Sequence, residues 1–236
     1  FLCLNTQVGL GSKPALLQDE LIECALEQIK KIDEVRWTLV FMHQPLWLME
    51  EGILIRDKGK KILRKTETGW PKIAKALKGR RHTVFAGHVH HYGKYERNGT
   101  SFYTLGTTGG GSKLRGEAFG EFDHASWVTM TDKGPRMANL SIDGIMNDDV
   151  TTERHQIFWR SLVFEEYFKR ETSLDGKSLT LILGNPFDFQ INGRLTWVSP
   201  KSTNLEMSPM VRNIALDPGA KEEIVFNLLS HNEKKN

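Results

Sequence analysis

The sequence predicts an α/β fold followed by a small all-β region, and three observations carry that prediction. From Phe1 to Tyr92, short apolar runs alternate with one-sided helical stripes. Beyond Tyr92 the texture changes to β-rich segments punctuated by turn residues. Two of the early apolar runs end in histidine, and half of the eight histidines fall between His82 and His91.

Taken in order, Phe1-Leu2-Cys3-Leu4 reads as a short buried strand, so the chain is expected to begin mid-domain. Gly9-Leu10-Gly11 reads as a loop, with Ser12 as the N-cap of a helix and Pro14 in its first turn. Leu17, Leu21, Cys24, Ala25, Ile29 and Ile32 recur at helical spacing and form its core-facing stripe. Trp37 to Met42 is nearly continuous apolar sequence, as a strand buried on both faces requires. Pro45 ends it, and Leu46-Trp47-Leu48 with the charged residues after it reads as a surface excursion. Pro71 opens a short helix that Gly79 stops, and Thr83-Val84-Phe85 is the next strand.

After the histidines, Asn98-Gly99 between two β-prone runs is a two-residue hairpin signal. Gly106 to Gly111 reads as a flexible loop at the floor of a pocket, without the Lys-Ser/Thr pair of a P-loop. Ala125–Thr131 and Met137–Ile142 read as two further strands, and residues 153–170 as a connecting helix. Four short strands follow, at Leu179–Leu183, Arg194–Val198, Val211–Leu216 and Glu223–Leu228. Asn185-Pro186, Asn192-Gly193 and Asp217-Pro218-Gly219 read as the turns between them.

Composition narrows the function classes. A chain of 236 residues, 39% hydrophobic and 26% charged, suits one medium domain with or without an appendage, and a soluble one. No apolar run reaches the roughly 18 residues that span a bilayer, so no membrane span is expected. Two cysteines exclude a disulfide scaffold and leave the redox compartment open. The net charge is +3, but eleven Lys or Arg lie between Arg56 and Arg81 against two acidic residues. That stretch is either a solvated face or an attractor of anionic substrate; with little aromatic interleaving, no nucleic-acid partner is expected.

Ligands of open α/β sheets sit at the carboxyl ends of strands, where His43, His88 and His90 all fall. Imidazole is a common neutral metal ligand, so three strand-end histidines are read either as a metal site or as satisfied structural histidines. Extended geometry would point His88 and His90 the same way. His124 carries no motif and reads as structural. No G-x-S-x-G and no H-E-x-x-H occurs.

Val40-Phe41-Met42-His43-Gln44-Pro45 together with Gly87-His88-Val89-His90 resembles the last two of the five metal-binding motifs of the calcineurin-like metallophosphoesterases. The G-H-V-H form is also similar to that of purple acid phosphatases. The resemblance runs from Phe1 to about Ile142. It implies metallophosphatase-like layered β-sheets flanked by helices, with the N-terminal part missing. Residues 1–150 would be the C-terminal part of that domain and 151–172 a connector helix. Independently of the resemblance, the regular turn spacing reads residues 173–236 as a small β-sandwich-like domain, either complete or truncated at its C-terminus.

The resemblance further implies hydrolysis of a phosphate mono- or diester by water activated at two divalent metal ions, of Mn, Fe or Zn type. His43 and His88 would ligate one ion and His90 the other. His91 matches no general ligand of the family and is either a substrate contact or a plain loop histidine. The D-x-H, G-D-x-x-D and G-N-H-D motifs do not occur in this chain. The bridging aspartate and the histidine that protonates the leaving oxygen are therefore expected upstream, and the catalytic residues stay unassigned. Three neutral ligands without a carboxylate cannot offset two divalent charges, so this chain alone is expected to bind metal weakly and not to turn over. The alternative is a degenerate, non-catalytic phosphoesterase-fold scaffold whose β-sandwich binds a partner or glycan. Substrate, oligomeric state and compartment are not set by the sequence; an appended sandwich is compatible with export.

Overall fold

The structure is a computed structural model that describes residues 1–6, 19–31, 35–57, 60–163, 168–173, 176–185, 187–198 and 204–232. The expected loop at Gly9-Leu10-Gly11, the cap at Ser12 and the stripe positions Leu17 and Ile32 lie outside these residues. The chain divides into two units, Phe1–Gln156 and Ile157–Asn236.

In the first unit, β1 (Leu2–Leu4) is followed by α1 (Asp19–Lys30), β2 (Thr38–Met42) and α2 (Leu46–Glu51). Then come the hairpin β3 (Ile53–Asp57) and β4 (Lys60–Arg64), α3 (Trp70–Leu77), β5 (His82–Ala86), β6 (Gly93–Arg97) and β7 (Thr100–Thr104). The main sheet has the order β1-β2-β5-β7-β6. Its first four strands run parallel, and β6 closes one edge antiparallel to β7. Asn98 and Gly99 both have positive φ, 53° and 74°, as the tight turn of that hairpin demands. Pro71 lies in the first turn of α3, and Gly79, at φ 82°, follows its end.

Both faces of this sheet are covered, which is why β2 can be apolar throughout. On one face Leu2, Leu4, Val40, Met42, Val84, Ala86 and Phe102 pack with Ile22, Ala25 and Ile29 of α1 and with α2 and α3. The stripe of α1 is thus rotated from the expected one: Ile22 is buried and Cys24 is exposed. The acidic and amide positions Glu23, Glu27 and Gln28 define the wet side, and Cys24 falls with them. The expectation of a surface excursion at Leu46-Trp47-Leu48 is also corrected. These residues form α2 and are almost fully buried, Trp47 against Trp70, Tyr95 and Phe102. Pro45 ends the strand but opens this short helix, and two large apolar side chains beside it are better buried than wet.

The opposite face carries Leu39, Phe85 and Tyr103, with Phe41 half-buried at their margin. Phe41, Phe85 and Tyr103 are cross-strand neighbours in register, and their rings stack at 5.2 and 5.5 Å. This layer meets a three-stranded antiparallel sheet of β8 (Ala125–Thr131), β9 (Gly134–Ser141) and β10 (Gly144–Asn147), which supplies Val128, Met137 and Met146. The first unit is therefore layered helix, sheet, sheet.

Its last helix, α4 (Glu153–Val163), contains the boundary between the units. Arg97 binds both oxygens of Glu51 and both of Glu153, at 2.6–2.8 Å, which ties β6 to α2 and to the first turn of α4. Replacing Arg97 by methionine leaves two carboxylates facing each other. Denaturant titration should show a loss of about 2 kcal/mol, below the figure for a fully buried pair because the side chains are partly exposed. Lysine should recover only part of it, since it lacks the planar fork.

The second unit contains β11 (Phe168–Thr172), β12 (Ser178–Gly184), β13 (Ile191–Thr196), β14 (Asn204–Ser208), β15 (Val211–Leu216) and β16 (Lys221–Asn232). A four-stranded sheet of order β11-β12-β16-β14 and the pair β13-β15 share one apolar cluster around Leu183, Ile214, Leu216, Ile224 and Phe226. Two expectations are corrected here. The connecting helix ends at Val163, and Phe168–Thr172, which has β-branched and aromatic ends, is a strand paired with β12. Asn192-Gly193 is not a turn but part of β13, where Gly193 stands opposite Ile214 and leaves room for its side chain. Among the described residues, no helix is long and apolar enough to cross a membrane.

Candidate metal centre

The carboxyl ends of β2 and β5 are adjacent because the two strands pair in parallel, Met42 beside Ala86. That register alone brings the following loops together. The buried hydroxyl of Thr6 accepts hydrogen bonds from the backbone N–H of His43 and of Gln44, at 3.2 and 2.8 Å. The Gly87 N–H donates to the His43 carbonyl at 2.9 Å. His43 is therefore held from both sides of its strand end.

His88 and His90 stand beyond β5 in a bent loop, both at positive φ, 72° and 55°. Non-glycine residues in this region are uncommon, and such strain clusters at functional sites. The extended geometry expected for them is absent, and they do not point the same way. The His88 ring turns to His43, with Nδ1 3.2 Å from His43 Nε2 and ring centroids 5.1 Å apart. The His90 ring turns to the Gly111 carbonyl, with Nδ1 at 2.5 Å. A carbonyl only accepts, so Nδ1 of His90 carries a proton, and Nε2 is the nitrogen that the neutral ring can offer as a ligand.

Two ring nitrogens of one tetrahedral or octahedral ion, each about 2.0–2.1 Å from it, stand roughly 2.8–3.4 Å apart. The His43–His88 separation lies in that interval, so this pair fits as half of one coordination sphere. The neutral form that a metal requires is favoured at His88, whose pKa is held below the usual imidazole value by burial and by the neighbouring His43 and His90. His90 fits as a ligand oriented by a backbone carbonyl, the usual outer partner of metal-bound imidazole. Its ring is directed to the glycine loop rather than to the other two. Among the described residues, no group of three or more His, Cys, Asp or Glu is arranged to hold a metal ion.

His91 is half-buried, with Nδ1 3.0 Å from the Val89 carbonyl, and its backbone joins the loop to β6. His124 is buried against Tyr92 and Phe122 and bonds the Phe122 carbonyl. Its neighbours fix the glycine-rich loop: the His124 N–H donates to the Thr107 carbonyl, Thr108 Oγ1 to the His124 carbonyl, and Thr107 Oγ1 to Asp123. Gly106 abuts the His124 ring, whereas Gly111 reaches His90. Sequence reasoning missed Ser112 and Lys113, which continue that loop along a cleft beside His90. The signal available was a hydroxyl and a cation directly after three glycines.

Burial holds the His124 pKa below its ordinary value, against the opposing pull of the Phe122 carbonyl and the Asp123 charge. Unfolded histidine titrates near about 6.5. Below that pH the unfolded chain takes up a proton that the folded chain refuses, so stability falls as pH falls. Denaturation midpoints measured from about pH 8 to 5 should drop, and His124→Gln should flatten part of that slope. An equal slope in the variant would exclude this role.

No protein-family model matches the chain, and neither does any curated protein or solved structure. What the fold defines is a mixed α/β protein built from several sheets with few helices.

Proposed function

We propose that this chain contributes the histidine half of a calcineurin-like, two-metal phosphoesterase centre that hydrolyses a phosphate mono- or diester. The observation that supports this reading most is the His43–His88 pair: two ring nitrogens 3.2 Å apart, one of them on a strained residue, at the carboxyl edge of a parallel sheet. His43 and His88 would hold one ion, and His90, oriented by the Gly111 carbonyl, would offer Nε2 to the other. Such ions, when bound, lower the pKa of a water molecule and neutralise charge on the phosphoryl oxygens. The D-x-H, G-D and G-N-H-D motifs that would supply carboxylates to offset their charge do not occur in this sequence. The layered helix, sheet, sheet arrangement and the separate β-sheet unit are compatible with the metallophosphatase-like fold and the appended sandwich of this reading.

Titration of this chain with Mn²⁺, followed by paramagnetic broadening of the imidazole NMR signals, tests the assignment. Broadening is expected first at His43 and His88, with weak affinity. Two tightly held ions per chain in elemental analysis would overturn the division of the site, and intact His43 and His88 signals at millimolar Mn²⁺ would overturn the site itself. A chain extended by D-x-H, G-D and G-N-H-D motifs should hydrolyse p-nitrophenyl phosphate.

The neutral donor set and the lack of a three-residue metal group among the described residues favour one second reading, a non-catalytic scaffold of the same fold. An extended chain that binds Mn²⁺ at His43 and His88 without hydrolysing any phosphate ester would establish it.

A further inference from the structure

We propose that the open cleft beside His90 is a subsite for a second anionic group, so that the substrate class is a phosphate ester bearing a further phosphate or carboxylate. This rests on reading the histidines as a phosphoester centre. The cleft has a volume of about 410 Å³ and is lined by Val89, His90, Gly111, Ser112, Lys113 and Glu121. It shares His90 with the metal centre, so a ligand whose phosphoryl group meets the histidines extends its other end here.

The charge of this cleft follows from who pairs with whom. Glu121 is engaged by Arg115 through both oxygens, Nε to Oε2 at 2.8 Å and Nη2 to Oε1 at 2.5 Å. The Arg115 guanidinium also lies 4.3 Å from the Phe119 ring centroid, which fixes its orientation. The one carboxylate of the cleft is thereby neutralised. Lys113 also acts on Glu121 through its charge, so two cations stand against one carboxylate and the charge left over is positive. Ser112 Oγ accepts the Leu114 N–H at 3.3 Å, which leaves its O–H free to donate. Gly111, whose carbonyl holds His90, lets backbone rather than a side chain border the cleft. An excess ammonium, a free hydroxyl and bare backbone next to a phosphoryl site are the complement of an anion.

The test is a ¹⁵N NMR titration of this chain with pyrophosphate, alongside the Mn²⁺ titration. Pyrophosphate should shift the amides of Gly111, Ser112 and Lys113. Lys113→Ala should weaken binding by about fivefold, the worth of one exposed charge pair, and Lys113→Arg should restore it. Lys113 is exposed, so neither change threatens the fold. Weakening of less than about twofold in Lys113→Ala, or shifts confined to other residues, would overturn the subsite. The two readings fail separately. Lys113-dependent pyrophosphate binding without Mn²⁺ broadening keeps the anion subsite and removes the metal centre. Broadening at His43 and His88 with unchanged pyrophosphate affinity in Lys113→Ala does the reverse.

Discussion

Replacing His88 by alanine is expected to abolish Mn²⁺ broadening at His43 as well as at position 88. Neither imidazole is enclosed by other metal-binding groups, so His43 alone is a single exposed nitrogen and holds an ion no better than any surface histidine. The two nitrogens at 3.2 Å work as a pair, and removing one removes the pair. In a chain that also carries the upstream motifs, the same change should lower kcat/KM for p-nitrophenyl phosphate by at least about a hundredfold, since even outer-shell partners of metal ligands cost 10–100-fold. Alanine at position 88 also relieves none of the positive φ, so the loop keeps its strain and the readout isolates the ring. His91→Ala should leave the broadening as it is, because that ring is turned to Val89. Retained activity in His88→Ala would remove His88 from the ligand set.

Replacing Gly120 by alanine should cost about 3 kcal/mol or more, the largest stability loss of any single methyl in the first unit. Gly120 sits at φ 71°, and a Cβ there would overlap the Tyr92 carbonyl oxygen. Nothing flexible can yield, because the obstacle is backbone. The Gly120 carbonyl accepts the Tyr92 N–H at 2.7 Å, and the Tyr92 carbonyl accepts from Gln156 Nε2 at 3.3 Å. Both contacts must open to admit the methyl group. Tyr92 directly follows His91, so the shift reaches the histidine loop, and Mn²⁺ broadening at His88 should weaken in parallel with the denaturation midpoint. A stability unchanged within about 0.5 kcal/mol would show that the two backbone segments separate at no cost.

The elements that were legible are those whose local pattern leaves one solution. Thr38–Met42 has no wet face and must be a covered strand, and Asn98-Gly99 supplies the positive φ of a tight turn. The misreadings arose where a neighbour distant in sequence decided. Leu46-Trp47-Leu48 becomes core because Trp70 and Phe102 are there to cover it. Cys24 turns outward because the surface that α1 meets is set by β1 and α3. Gly193 continues a strand because Ile214 fills the space it leaves.

The same division holds for the site. Local sequence supplies the side chains His43, His88 and His90 and reads all three at strand ends, because strand ends follow from apolar runs and the prolines and glycines that stop them. Only the tertiary structure decided that β2 and β5 are parallel neighbours, which sets His43 against His88. The same holds for the left-handed backbone that turns His90 to Gly111 and for the Arg115 side chain that engages Glu121 beside Lys113. The histidine placements depend on register and on contacts across tens of residues, which no local pattern encodes.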